Sequence, residues 1–232
     1  MSLRTGTSCA ELAQTGTIVG PQFCAPHPID LAFTTRAPWL KDNHVTVTDI
    51  HGKFILWSAD GPTQGLGRKR MLHDADDNPL ISMREKTLTA HERWGAFIGD
   101  SSEDRDLLFS VKKSSMFQTK SKFDVFLAGN KEEKVCDFKI TGSYRKRRCT
   151  VYKGDSQMVL AQMSKKHEAI NLPQGEGIFG VHINPNTDYC FIAALFAFLH
   201  AIHDDSDDED FNIKDAIEIV AGTISQLAQL GN

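Results

Sequence analysis

The stretch Tyr189-Cys190-Phe191-Ile192-Ala193-Ala194-Leu195-Phe196-Ala197-Phe198-Leu199-His200-Ala201-Ile202 would be apolar on nearly every face of a helix, and such a helix must be surrounded on all sides. A bilayer core requires about 20 apolar residues; this run is shorter, with Asp188 before it and Asp204 and Asp205 after it. The surround is therefore protein. The rest of the chain reads as short strands, so the expected fold is mainly β, a barrel enclosing one hydrophobic helix.

The strand signals lie outward from that helix at the close spacing of a sandwich or barrel. Asp49-Ile50-His51-Gly52 separates Val45 and Val47 from Phe54 and Leu56, and Asp74 to Pro79 separates Met71 and Leu72 from Leu80, Ile81 and Met83. Both read as hairpins. Gly99 to Arg105, Gly129 to Glu133 and Lys153-Gly154-Asp155-Ser156 predict three more, and Ile178 to Ile183 is the last strand before the helix. With a first strand at Leu31 to Thr35, the count comes to about twelve. Cys136, Phe138 and Ile140 interleave with Asp137, Lys139 and Thr141, which puts one face of each strand in water and one in a core. A barrel that wide needs a plug. Asn184 as cap and Pro185 at the first helical position place the helix over 186–203, about 27 Å at 1.5 Å per residue. Burying Phe191, Ile192, Leu195, Phe196, Phe198 and Leu199 contributes on the order of 10 kcal/mol gross, comparable to the net stability of a domain.

At 232 residues and 41% apolar content, the chain can fill one large core. The expected organisation is a flexible lead-in over 1–22, a barrel over 23–205, and an acidic linker with an amphipathic helix over 206–232. In that last helix Ile213, Ile217, Val220, Ile224 and Leu227 form a stripe. Its bland role is packing on the barrel; the alternative is a helix for a protein partner or a membrane surface, its acidic polar face disfavouring anionic lipid. The net charge of −4 hides an asymmetry: residues 112–148 hold eleven Lys and Arg against four acids, whereas 204–218 hold eight acids against one Lys. That argues against general nucleic-acid binding and for a basic surface beside an acidic tail. Five scattered cysteines without a C-x-x-C pair disfavour a disulfide framework or zinc cage. With no apolar leader at Met1 to Gly6, the expected compartment is the cytoplasm, with the membrane surface or nucleus as further stations.

Several segments in order resemble the plant LURP-one-related family, a branch of the tubby C-terminal-like superfamily that is also similar to phospholipid scramblases. They include Phe23-Cys24-Ala25-Pro26-His27-Pro28-Ile29-Asp30, Met83-Arg84-Glu85-Lys86, Asp104 to Ser115, Lys122 to Leu127, Gly142-Ser143-Tyr144 and Asn184 to Ala193. The resemblance covers about residues 20–205 and implies a twelve-stranded tubby-like barrel around a central helix, the same fold reached above. It implies a non-enzyme, with membrane tethering, phosphoinositide binding, transcriptional roles and plant defence as its associations. No segment matches tubby's lipid-binding residues, and the ending at 206–232 departs from the family's shorter one.

The candidate binding residues are Arg145, Lys146, Arg147 and Arg148 with Lys112, Lys113, Lys120 and Lys122, joined by Lys165 and Lys166. Together they could dock the phosphates of an anionic phospholipid or phosphoinositide; the bland reading is a strand edge guarded by charge. Asp74 to Glu85 mimics the spacing of a calcium loop but puts Pro79 where a glycine turn is required. A polar hairpin turn fits better. His200 and His203 could ligate a metal, but histidines commonly end an apolar helix. Ser101 and Ser102 with Asp100 and Asp104 have turn composition, and no nucleophile motif is present. No metal or cofactor is expected. The leading expectation is a non-catalytic barrel that binds anionic lipid or a protein partner through its basic exterior. The alternative is a carrier of an apolar small molecule or peptide inside the barrel.

Overall fold

Alternation of small blocks of apolar and polar residues sets the strands, and their antiparallel pairing in sequence order sets the barrel. The computed structural model describes residues 17–38, 40–41, 44–62, 67–86, 93–114, 121–164 and 177–204. Its strands are β1 (Ile29–Thr34), β2 (Val45–Asp49), β3 (Phe54–Asp60), β4 (Lys69–Asp74), β5 (Pro79–Glu85) and β6 (Arg93–Ile98). They continue as β7 (Leu107–Lys113), β8 (Ser121–Leu127), β9 (Phe138–Ser143), β10 (Arg148–Lys153), β11 (Val159–Ser164) and β12 (Ile178–Ile183). Each pairs with its chain neighbour, and β1 pairs with β12 from Ile29↔Ile183 to Thr34↔Ile178, closing the barrel. Closure leaves no open edge among the described strands for another chain to extend.

The apolar helix α1 (Tyr189–Asp204) runs through the lumen. Every residue from Cys190 to Leu199 is at most 3% exposed. Aromatic side chains of the wall meet it at successive levels. Phe109 and Phe138 pack on Phe191, with centroids at 5.0 and 4.9 Å; Phe33 lies 5.7 Å from Phe196; Trp94 and Phe123 flank Phe198 at 5.7 and 5.4 Å. Edge-on and tilted pairs of this kind add to the burial term. Ile192, Leu195 and Leu199 complete the same core. The enclosed helix read from the sequence is thus present, inside twelve strands.

Its start differs from the expected 186. Asn186 has φ +57° and donates its N–H to the Ala25 carbonyl at 2.7 Å, so the chain is still turning there. The cap is Asp188, whose Oδ1 accepts the Phe191 N–H at 3.0 Å. Aspartate caps as well as asparagine does, and the tertiary contacts of Asp188 decide between the two. Its Oδ2 accepts the N–H groups of Ile18, Val19 and Gly20 at 3.0, 2.7 and 3.3 Å, with the side chain fully buried. The described part of the expected lead-in, residues 17–22, is therefore tied to the start of α1. A carboxylate buried on such a cluster of donors needs no counter-ion. Residues 1–16 and the expected acidic linker and amphipathic helix at 206–232 lie outside the described residues.

Connections alternate between two ends. The near end, where α1 begins, carries the turns β2–β3, β4–β5, β6–β7, β8–β9 and β10–β11. The far end, where α1 stops, carries the others, among them the Tyr144 to Arg147 turn between β9 and β10.

Candidate functional site

The register decides which of the expected basic residues share a surface. Lys112 on β7 stands opposite Asp124 on β8, which stands opposite Lys139 on β9. Their neighbours Val111, Val125 and Ile140 are buried, so this row faces outward. One row further along, Lys122 stands opposite Thr141, and in the row beyond that Arg148 stands opposite Ser143. Lys112, Lys122 and Arg148 therefore lie on the outer face of β7, β8 and β10, with Arg145 and Lys146 exposed in the β9–β10 turn. Asp124 tempers the positive field at its centre. Lys139 is itself ion-paired to Asp155.

Two expected members are placed differently. Lys113 stands opposite the buried Phe123, on the row that faces the lumen, at its far rim. Arg147 turns inward: its guanidinium lies 4.8 Å from the Tyr144 ring and 4.5 Å from the Phe179 ring, and its Nη1 is buried without a hydrogen-bond partner. It acts as a lining cation over aromatic faces. Lys120, Lys165 and Lys166 lie outside the described residues.

The far mouth holds further cations that the sequence analysis did not single out, although the run Arg68-Lys69-Arg70 was there to read. Arg68 forks onto Glu85, with Nε to Oε2 at 3.0 Å and Nη2 to Oε1 at 3.1 Å, and donates from Nη1 to the Ala201 carbonyl at 3.3 Å. That hydrogen bond from Arg68 holds the Glu85 carboxyl below its ordinary range. Arg70, 1% exposed, donates from Nε to Ser58 Oγ at 3.2 Å. Cations at the carbonyl end of α1 complement the helix dipole, so the wall arginines do what the sequence assigned to His200 and His203. His200 instead is buried and neutral. Burial first, then the charges of Arg70, Arg147, Arg36 and His203, pull it down to about 3. His203 stacks on Tyr144 at 5.5 Å.

The other candidate chemistries resolve into local structure. Asp74 Oδ1 accepts the N–H groups of Asp76 and Asn78 at 3.0 and 2.8 Å, and Asp77 has φ +66°, a side-chain-stabilised hairpin turn. Ser101 Oγ donates to Asp106 at 2.6 Å and accepts the Glu103 N–H at 3.2 Å, again within a turn. Cys136, Cys149 and Cys190 are buried, and burial pushes the Cys149 thiol up to about 12, away from thiolate chemistry. No helix among the described residues is long and apolar enough to cross a membrane.

The near end carries a cleft of about 380 Å³ where β1, β2 and β3 meet the start of α1. Ile29, Leu31, Asp49, Ile50, Ile55 and Tyr189 are among its lining. It opens at the rim, outside the space filled by α1.

Comparison with known proteins adds a family to this geometry. A sequence model described as LURP-one-related matches residues 29–200. The chain is 43% identical over 200 residues to Protein LURP-one-related 15 of Arabidopsis thaliana, covering 86% of this chain and 92% of that one. It is 39% identical to Protein LURP1 of the same plant, covering 78% and 87%. An X-ray structure of an Arabidopsis thaliana protein superposes with a TM-score of 0.62 at 37% identity, covering 81% of this chain and 99% of that one. With the matched span running from β1 into α1, the chain belongs to the LURP-one-related family.

Proposed function

We propose that this protein is a non-catalytic binding module that docks anionic phospholipid headgroups on the outer face formed by β7 to β10. The observation that supports this reading most is the outward alignment of Lys112, Lys122 and Arg148 beside exposed Arg145 and Lys146. Ammonium and guanidinium groups at a surface are each worth about 1 kcal/mol toward an anionic membrane, and guanidinium forks suit phosphate oxygens. Binding outside the barrel also fits an interior occupied by α1. The cytoplasmic, membrane-surface setting and a part in plant defence go with this proposal.

The test is co-sedimentation of the full chain with neutral phosphatidylcholine vesicles and with vesicles also containing phosphoinositide, at low and high salt. Preference for the anionic vesicles, weakened by salt, is the expected result. The variant R145Q/K146Q/R148Q should lose at least about tenfold in affinity by the same per-charge figure. Arg147 is left intact because it packs in the far mouth. Equal sedimentation with both vesicle types, or a variant that binds as well as the parent, overturns the proposal.

The alternative of carriage inside the barrel meets a lumen filled by Phe191, Phe196 and Phe198, all at most 3% exposed. Space for a small molecule exists at the near rim instead.

A further inference from the structure

The structure assigns the near-rim cleft a ligand class: we propose that it binds a small organic amine with an apolar body. This stands independently of the basic exterior, so either can fail without the other. The cleft's walls are mainly hydrocarbon, from Ile29, Leu31, Ile50 and Ile55, with the half-buried Tyr189 at the start of α1 beside them. The segment that closes this end pairs with the approach to α1 on the other side, through the Cys24↔Asp188 bridge and the Asn186 N–H on Ala25. Ile50 and Phe54, in and beside the β2–β3 turn, are 40% and 38% exposed. Ile50 belongs to the cleft lining, whereas Phe54, opposite the outward-facing Thr48, is an ordinary single exposed apolar residue.

The charge preference comes from Asp49. It stands opposite Leu31, which is 2% exposed, so its side chain belongs to the lumenal row at the rim. Its Oδ1 accepts the N–H groups of His51 and Lys53, both at 2.8 Å, which holds the carboxylate in one orientation. Its Oδ2 makes no hydrogen bond among the described residues. Asp30 also lines the cleft and pairs with His182 Nδ1 at 2.9 Å, on the outward row. A fixed carboxylate with an open oxygen beside hydrocarbon walls favours an ammonium group attached to an apolar body, and disfavours an anion. The volume suits one ring and a short chain.

The experiment is an amide-resolved NMR titration of the full chain with three ligands that share an apolar body: 2-phenylethylamine, neutral 2-phenylethanol and anionic 3-phenylpropionate. The amine should shift the signals of Ile29, Asp49, Ile50, Ile55 and Tyr189 and bind at least about fivefold more tightly than the alcohol, the worth of one exposed charge-assisted hydrogen bond. Asp49→Asn keeps the turn acceptor and should abolish that preference, bringing the amine and the alcohol to similar affinities. Raising salt in the unsubstituted protein should weaken the amine alone, a readout that needs no variant. The inference is overturned if the alcohol or the carboxylate binds as tightly as the amine, or if D49N keeps the preference. Shifts that map elsewhere, or no saturable binding up to about 10 mM, the weak limit for so small a ligand, overturn it equally.

Discussion

Arg147 sits at φ +52° and closes the β9–β10 turn through its N–H on the Tyr144 carbonyl at 2.9 Å. A non-glycine residue there is strained by about 1 kcal/mol, and the stacking of its guanidinium on Tyr144 and Phe179 offsets that cost. The same cation, with Arg70 and Arg36, faces His200, and burial first, then these charges, keep the imidazole neutral. A histidine held at about 3 in the fold but near 6.5 when unfolded binds a proton only in the unfolded chain between those values. Stability is therefore fully present above pH 6.5 and falls on acidification toward pH 3, by on the order of 1 kcal/mol per unit for this residue. His200→Phe should flatten denaturant-midpoint curves between pH 6.5 and 5, above the range where the paired carboxylates titrate. An unchanged slope would mean that other groups carry the acid sensitivity.

At the scale of elements, the turn and the helix depend on different constraints. Gly142, at φ +116°, lies so close to β10 that an added Cβ would come within 1.9 Å of the Arg148 carbonyl oxygen. Gly142→Ala must shift backbone, and it should cost on the order of 2 kcal/mol and weaken vesicle binding by misaligning Arg145, Lys146 and Arg148; thermal unfolding and co-sedimentation of this single variant check both effects. For α1, Ala194 is fully enclosed. Ala194→Asp places a carboxylate among phenylalanines with no partner, a cost of several kcal/mol, and it should leave no soluble folded protein; a circular dichroism spectrum like the parent's would contradict the enclosed helix.

Across the whole molecule, the far mouth gathers Arg36, Arg68, Arg70, Arg147 and the exposed Arg145 and Lys146 around the end of α1, and the acidic run Asp205 to Asp210 follows α1 directly in the chain. Opposite charges attract over a Debye length of about 8 Å at physiological salt. If the run screens the basic exterior, deleting 205–232, which keeps α1 whole, should tighten binding to phosphoinositide vesicles by about threefold or more at low salt; unchanged or weaker binding would show that the run does not compete with lipid.

Strands, hairpins and the plugging helix were legible because each rests on local pattern: alternation in Phe138 to Thr141, turn residues such as Asp49 to Gly52, and an all-apolar run at 190–199 that only a protein interior could hold. The basic run at 145–148 was legible too, but as one group of four. Which of its members face water depends on register and on the rings of Tyr144, in the same turn, and of Phe179, which comes from β12 far along the sequence. The cap of α1 passed from Asn184 to Asp188 for a similar reason, since the deciding partners are the amides of residues 18–20. The near-rim cleft left no signal, because Ile29, Asp49, Ile55 and Tyr189 meet only when the barrel closes. Local periodicity and solvation by themselves determined that this chain wraps strands around a greasy helix; the direction of each charge, the neutrality of His200 and the cleft were decided only by the tertiary structure, because they arise from contacts between segments that no local pattern brings together.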